Sequence, residues 1–187
     1  MKIAIFSSWL PQISQENRKL AEKIGNYLAE KDITIVTGGC SGIPAVCIES
    51  GYKNNTKTIG YFPHKDHSDY YDRQREENTH DIQYYSTTHF IHGFTARSLE
   101  MIKNVDAAIV LNGRIGTLSE FGIAIEEGLP LAVIEGTGGI TDELQHLTKL
   151  VKKEFPNNEV VFEKDYKKAI DFLIENYQKQ QKENIYK

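Results

Sequence analysis

Little in this sequence marks a secreted, membrane-spanning or metal-built protein. Of 187 residues only two are cysteines, Cys40 and Cys47, and they make neither a disulfide scaffold nor a CxxC metal pair. Reduced thiols point to the cytoplasm. No apolar run approaches the roughly 18 residues of a membrane span. The start, Met1-Lys2-Ile3-Ala4-Ile5-Phe6, is too short an apolar run for a signal peptide. Net charge is −4, so no basic excess argues for a nucleic acid or an anionic membrane as partner. His64-x-x-His67 and His89-x-x-His92 lack the cysteine or carboxylate spacing that completes a zinc site. No internal repeat is present. No Gly-Lys-Ser/Thr completes a P-loop, and the first apolar run leads into Ser7-Ser8-Trp9-Leu10-Pro11 rather than a dinucleotide fingerprint. A mononucleotide fits better than a nicotinamide dinucleotide, and no cofactor or metal is implied.

What is present is a regular alternation of apolar runs and helical patterns. The length suits one domain, at roughly 150 residues per domain. Residues 3–6, 33–36, 58–62, 89–91, 107–111, 131–134 and 160–162 read as strands. Helical spacing occupies 16–30, 43–50, 96–104, 117–127 and 142–154, with a last helix from about Asp165. Pro44 falls in a first helical turn, where its missing N–H costs little. Gly51 is expected to end that helix, and Gly128 with Pro130 to stop the one from 117. Continuous Val/Ile runs between helices predict a doubly wound, Rossmann-like α/β fold: a mostly parallel sheet of about seven strands with helices on both faces. The domain is expected to span 1–177, with an insertion at 63–88 and a polar, fraying tail at 178–187. Ligands of such folds sit beyond the carboxyl ends of the strands. That selects the turns after strands one, two, four and five.

Two of those turns are glycine-rich. Gly38-Gly39-Cys40-Ser41-Gly42 follows strand two, and Gly113-Arg114-Ile115-Gly116-Thr117 follows strand five. Strand, glycine turn, helix is a geometry that holds phosphate, since the backbone can approach and the helix start offers unpaired N–H groups. Glu120, three residues after Thr117, adds an acid–base group. The same four residues, Thr117-Leu118-Ser119-Glu120, also fit a capping box. Arg97 fits an exposed helix arginine, yet it follows strand four on the same edge as Glu120, where the helix dipole opposes it unless an anion is present. Cys40 reads as a small packed residue or as a thiol activated near a helix start. Ser7 and Ser41 read as phosphate donors, since no triad histidine is recognisable. The 63–88 segment carries His64, His67, Tyr70, Tyr71, Arg73, Arg75, Tyr84 and Tyr85. It is either a surface insertion with a short helix near 68–77, or a lid whose tyrosines stack on a base and whose arginines meet a phosphate.

Taken together, Gly38-Gly39…Gly42, Arg97 and Gly113…Gly116-Thr117…Glu120 resemble the LOG-like family of Rossmann-type proteins, once misnamed lysine decarboxylases. Its better-known members are nucleoside 5′-monophosphate phosphoribohydrolases, with an arginine on the helix before a Pro-Gly-Gly-x-Gly-Thr-x-x-Glu turn. Gly93…Ala96-Arg97 and Glu135-Gly136-Thr137-Gly138-Gly139-Ile140-Thr141-Asp142 are similar to elements of a neighbouring branch of bacterial and archaeal nucleotide-binding proteins. That branch also resembles a molybdenum-cofactor carrier. The likeness covers about residues 1–175. Asn112 stands where the phosphoribohydrolases have proline, Arg114 where they have the second glycine, and Pro44 where a methionine is common. Ser98 replaces the lysine or asparagine after the arginine.

The resemblance implies Arg97 and Glu120 as catalytic residues. It also implies a phosphate or nucleotide site made by Ser7, Gly38, Gly39, Ser41, Gly42, Gly113, Arg114, Gly116 and Thr117. The implied reaction is cleavage of an N-glycosidic bond to free base and ribose 5-phosphate. Arg114, Asn112 and the Gly138-Gly139 turn motivate the alternative, a non-catalytic nucleotide or molybdenum-cofactor carrier. The implied partner is a nucleoside monophosphate or related small molecule, and the implied assembly a homodimer or larger.

Overall fold

The computed structural model describes residues 1–73, 80–151 and 159–185. Seven strands form one sheet: β1 (Lys2–Ser7), β2 (Thr34–Thr37), β3 (Thr58–Phe62), β4 (Thr87–Phe90), β5 (Ala107–Leu111), β6 (Leu131–Ile134) and β7 (Val160–Glu163). The helices are α1 (Gln15–Glu30), α2 (Ile43–Lys53), α3 (His67–Arg73), α4 (Phe94–Lys103), α5 (Ile115–Glu126), α6 (Thr141–Val151) and α7 (Tyr166–Ile185). The spatial order is β4-β3-β2-β1-β5-β6-β7, and every pairing is parallel. The doubly wound α/β fold expected from the alternation is therefore the one observed, with the sheet parallel throughout.

Both faces are covered because the central strands carry continuous apolar runs, Ile3–Phe6 in β1 and the whole of β5 and β6. Ile3 and Ile5 of β1 join a core with α1, α2 and α7 through Ile24, Leu28, Cys47 and Ile170. Ala4 and Phe6 face the other way, into a core with α4, α5 and α6 through Met101, Phe121, Ala124 and Leu144. Chain order reverses between β1 and β5. The crevice at their carboxyl ends is the topological switch point, where such folds bind ligands. At that point the Ser7 hydroxyl donates to the Leu111 carbonyl at 2.5 Å and ties the two strand ends together.

Several local expectations shift. Helix α2 runs past Gly51 to Lys53; Gly51 lies against the Ile35 side chain, so its missing Cβ serves packing rather than termination. Helix α5 begins at Ile115 with Arg114 at its N-cap, because positive φ at Asn112 and Gly113 turns the chain early. Thr117 is thus inside the helix and not its cap. Residues 178–185, expected to fray, continue α7. Of the helix expected near 68–77, α3 supplies His67–Arg73; residues 74–77, with Arg75, lie outside the described residues, as do 152–154.

Tyr70, His80 and Tyr85 of the 63–88 segment are built into the core. Tyr70 is fully buried, and Tyr85 nearly so, both edge-on to Phe62. His80 is buried too, with Nδ1 3.0 Å from the Tyr85 hydroxyl and Nε2 3.3 Å from Glu49. Burial holds its pKa below the ordinary 6.5, against the upward pull of Glu49. The unfolded chain therefore takes up a proton at a pH where the folded one does not. Stability from this site is present above 6.5 and lost as pH falls toward the folded value. Wild type is expected to lose more urea resistance between pH 7.5 and 5.5 than His80→Gln. Equal losses would remove His80 from the account.

Candidate functional site

A cavity of about 510 Å³ opens at the carboxyl ends of β1, β2 and β5, bounded by α4 and α5. Its polar wall is made by Arg97 and Ser98 from α4 and by Thr117 and Glu120 from α5, with Arg114 and Gly116 beside them. Ser7, Ser8 and Gly38 complete that wall.

Arg97 and Glu120 meet there. Nη1 of Arg97 donates to Glu120 Oε1 at 2.9 Å, and the Ser98 hydroxyl donates to the same oxygen at 3.1 Å. Both side chains are about nine-tenths buried. Glu120 Oε2 has no partner among the described residues. Desolvation raises the Glu120 pKa, and the Arg97 charge and the hydrogen bonds from Ser98 and Arg97 only partly offset it. Burying an ion pair recovers little net energy, so stability alone is a weak reason for this one. Gly38 explains how Arg97 reaches the site: its Cα lies directly against the guanidinium, and a Cβ there would collide with Arg97 Nη1. The Arg97 Nε is buried without a hydrogen bond.

The N-terminus of α5 faces the same space. The N–H groups of Ile115, Gly116 and Thr117 have no helical acceptor, as in any first turn, and Arg114 offers no side-chain cap. Arg114 is exposed at the cavity and makes no ion pair among the described residues. Positive dipole, open N–H groups and an unneutralised guanidinium converge on one point, an arrangement that favours an anion.

The first glycine turn is placed differently. Gly38 lines the cavity, but Gly39, Ser41 and Gly42 do not. The start of α2 is already satisfied: the Ile43 N–H donates to the Ser8 carbonyl at 3.2 Å, and Pro44 has no N–H. The Ser41 hydroxyl donates to the Trp9 carbonyl at 2.8 Å. Gly42 has φ +76° and lies against the backbone of residues 8–10, where a Cβ would come within 2.5 Å of the Ser8 carbonyl oxygen and 2.6 Å of that of Leu10. These residues fasten the loop after β1. Gly113 also lies off the cavity surface.

Asn112 and the 135–142 segment act as a buttress. The Asn112 backbone N–H donates to Thr137 Oγ1 at 2.7 Å, and its side-chain amide donates to the Thr137 carbonyl at 2.7 Å. Its Oδ1 accepts from the Gly113 N–H at 2.6 Å. The Thr141 hydroxyl donates to the Asn112 carbonyl, and the Ile140 N–H to that of Gly113 at 3.0 Å. The Gly-Thr-Gly-Gly-Ile-Thr element thus holds the β5 turn from behind and does not line the cavity.

Sequence reading missed the apolar wall: Trp9, Pro44, Phe94 and Ile115. A signal for Trp9 existed, since it follows β1 directly on the edge that the fold selects. The tyrosines of the insertion, by contrast, do not line the cavity. Cys40 does, and is half-buried with its thiol donating to the Gly38 carbonyl at 3.5 Å. Among the described residues no group of three or more His, Cys, Asp or Glu side chains is placed to hold a metal ion, and no helix is long and apolar enough to cross a membrane.

The sequence pattern of the SLOG cluster4 family matches residues 2–170. An uncharacterized protein of Archaeoglobus fulgidus is 26% identical over 131 residues, 67% of this chain and 79% of its own length. Among solved structures, TM1055 superposes with a TM-score of 0.76 at 20% identity, over 93% of this chain and 98% of that one. The molybdenum cofactor binding protein of the phototrophic bacterium Rippkaea orientalis gives 0.72 at 20% identity, over 93% and 95%. DNA processing protein A of Helicobacter pylori, which binds single-stranded DNA, gives 0.62 at 18%, over 95% and 81%. At these identities the likeness concerns the fold. Because a single-stranded DNA binder shares that fold, the expectation of no nucleic-acid partner, drawn from net charge, gains no support here.

Proposed function

We propose that this chain, which belongs to the SLOG cluster4 family, binds a nucleoside 5′-monophosphate in the switch-point cavity and hydrolyses its N-glycosidic bond. One observation carries the reading: a buried carboxylate with a free oxygen shares the cavity with an open helix N-terminus and an unpaired arginine. The phosphate is assigned to Arg114, the first-turn N–H groups of α5 and the Thr117 hydroxyl; the Ser7 hydroxyl, expected as a phosphate donor, instead donates to the Leu111 carbonyl. Gly38, Gly39, Ser41, Gly42, Gly113 and Gly116 supply the backbone shape.

In this reading Glu120 stands beside C1′ of the ribose. As the bond to the base breaks, C1′ gains oxocarbenium character, which a carboxylate stabilises. Water attacks C1′, Glu120 Oε2 accepts one of its protons, and the proton balance is completed on the departing base nitrogen. The products are free base and ribose 5-phosphate. A carboxyl pKa raised by burial improves the base near neutral pH. Arg97 and Ser98 keep Oε1 fixed, so the second oxygen is aimed. A cytoplasmic homodimer or larger assembly belongs to the same reading, and sedimentation velocity checks the assembly.

The test is incubation with AMP, GMP, CMP and UMP, followed by separation of free base and ribose 5-phosphate. Base release is expected from at least one of them. Glu120→Gln is expected to lower kcat by about 10²-fold or more, the scale of general acid–base catalysis, with KM nearly unchanged. Equal turnover by Glu120→Ala and wild type would remove Glu120 from the reaction. A second reading is a non-catalytic carrier of a nucleotide or of a molybdenum cofactor. It is favoured by the Arg97–Glu120 ion pair, which engages the carboxylate, and by the likeness to the Rippkaea orientalis protein. Saturable binding by thermal shift without base release selects it.

A further inference from the structure

Aromatic side chains in this protein are mostly spent on each other. Phe62, Tyr70, Tyr85 and Phe90 form one packed group, and His80 stacks on Tyr84. Of the strongly exposed rings among the described residues, two stand apart. Trp9 is 45% exposed and Phe94 61% exposed; both line the switch-point cavity, and neither contacts another aromatic ring among the described residues.

Their backbones are fixed although their rings are bare. The carbonyls of Ser8 and Trp9 accept from the Ile43 N–H and the Ser41 hydroxyl, and the Leu10 N–H donates to Ser8 Oγ at 3.4 Å. The absent side chain of Gly42 lets this loop lie against the start of α2. Phe94 opens α4 and sits three residues before Arg97, on the same helix face. A large exposed ring gains nothing from water, and a pinned backbone lowers the entropy lost when something covers it. Arg114 and the start of α5 border the same cavity. One space therefore joins an anion-binding wall to a pair of unpaired aromatic rings.

We propose that Trp9 and Phe94 form an aromatic subsite that stacks on the nucleobase of the phosphate-bearing ligand. This rests on the reading of the cavity as a phosphate site. The purine or pyrimidine ring covers the exposed indole, and its phosphate reaches Arg114. Stacking tolerates different bases, because each has a π-face. Discrimination among bases is then weak unless a further polar contact reads the ring edge.

Trp9 is the sole tryptophan of the chain, so its emission reports the subsite directly. The probes are AMP, GMP, CMP, UMP and ribose 5-phosphate, with emission and calorimetry read at low temperature before turnover. At least one nucleotide is expected to quench Trp9 saturably. Ribose 5-phosphate is expected to compete with it while leaving emission unchanged. Trp9→Ala and Phe94→Ala are each expected to weaken nucleotide binding about tenfold, the scale of one base–aromatic contact. Both should leave ribose 5-phosphate affinity within about twofold, and Trp9→Phe should restore most of the loss. Nucleotides that bind no better than ribose 5-phosphate and leave Trp9 emission unmoved overturn the subsite and spare the phosphate site. Binding of neither removes the phosphate reading and the subsite with it. Emission that follows protein concentration but not ligand assigns the rings to a second copy of the chain and overturns the proposal.

Discussion

Replacing Arg97 by alanine is expected to cost about 3–5 kcal/mol of folding free energy, the scale for removing one partner of a buried ion pair. The cost comes from what stays behind. Glu120 would keep only the Ser98 hydroxyl on Oε1, inside a wall that already raises its pKa by desolvation. Without the guanidinium, the largest of the effects that offset its desolvation is gone, and the Ser98 hydrogen bond alone compensates little. The loss should then depend on pH in a stated direction. As pH falls the orphaned carboxyl takes a proton and the buried charge disappears, so the penalty shrinks. Urea unfolding of wild type and Arg97→Ala at pH 8 and pH 5 measures both effects. A loss below about 1 kcal/mol that is the same at both pH values would mean the pair behaves as a solvated surface bridge. The double variant Arg97→Met with Glu120→Leu should recover most of the stability and none of the function, because apolar replacement of a whole buried pair is often neutral or better.

Gly42→Ala is expected to be nearly as damaging, for a backbone reason. Its φ of +76° is a conformation that disfavours any side chain by roughly 1–2 kcal/mol. The added Cβ would also meet the Ser8 and Leu10 carbonyl oxygens at 2.5 and 2.6 Å and the Trp9 carbonyl carbon at 2.8 Å. These are main-chain atoms, so no side chain can swing aside. Either the loop after β1 lifts or α2 moves away, and either choice breaks the Ile43–Ser8 and Ser41–Trp9 hydrogen bonds. A total near 3 kcal/mol is expected, in the upper range for single substitutions. Ligand affinity should fall together with stability, since the same loop carries Trp9. Gly116→Ala is the control: an added Cβ there meets nothing within 4 Å, and its φ lies outside the left-handed region. A Gly42→Ala protein as stable as Gly116→Ala would show that the loop is not held as described.

Much of the site was legible because its parts are short and local. Ala107 to Glu120 announced a strand, a turn and a helix start within fourteen residues, and the order of strands and helices put Arg97 on the same edge. The capping-box reading of Glu120 was equally local and fits the same letters. It gives way because positive φ at Asn112 and Gly113 starts α5 at Ile115, and because Arg97 approaches from another helix. The tyrosines of 63–88 illustrate the opposite limit. Their polar surroundings suggested a surface insertion or a lid, but Phe62 offers Tyr70 and Tyr85 a core contact that no nearby residue reveals.

The sequence by itself determined the layers: continuous apolar runs in the central strands demand cover on both faces, and parallel strands joined by helices place ligands beyond their carboxyl ends. Tertiary structure alone decided which glycine turn stays open. Gly38-Gly39-Cys40-Ser41-Gly42 and Gly113-Arg114-Ile115-Gly116-Thr117 look alike as strings. The loop after β1 occupies the donor of the first through the Ser8 carbonyl, whereas α5 keeps its first-turn N–H groups facing the cavity. Hydrogen-bond partners and bare rings are set by segments that meet only when the chain is folded, and a linear pattern carries no record of that distance.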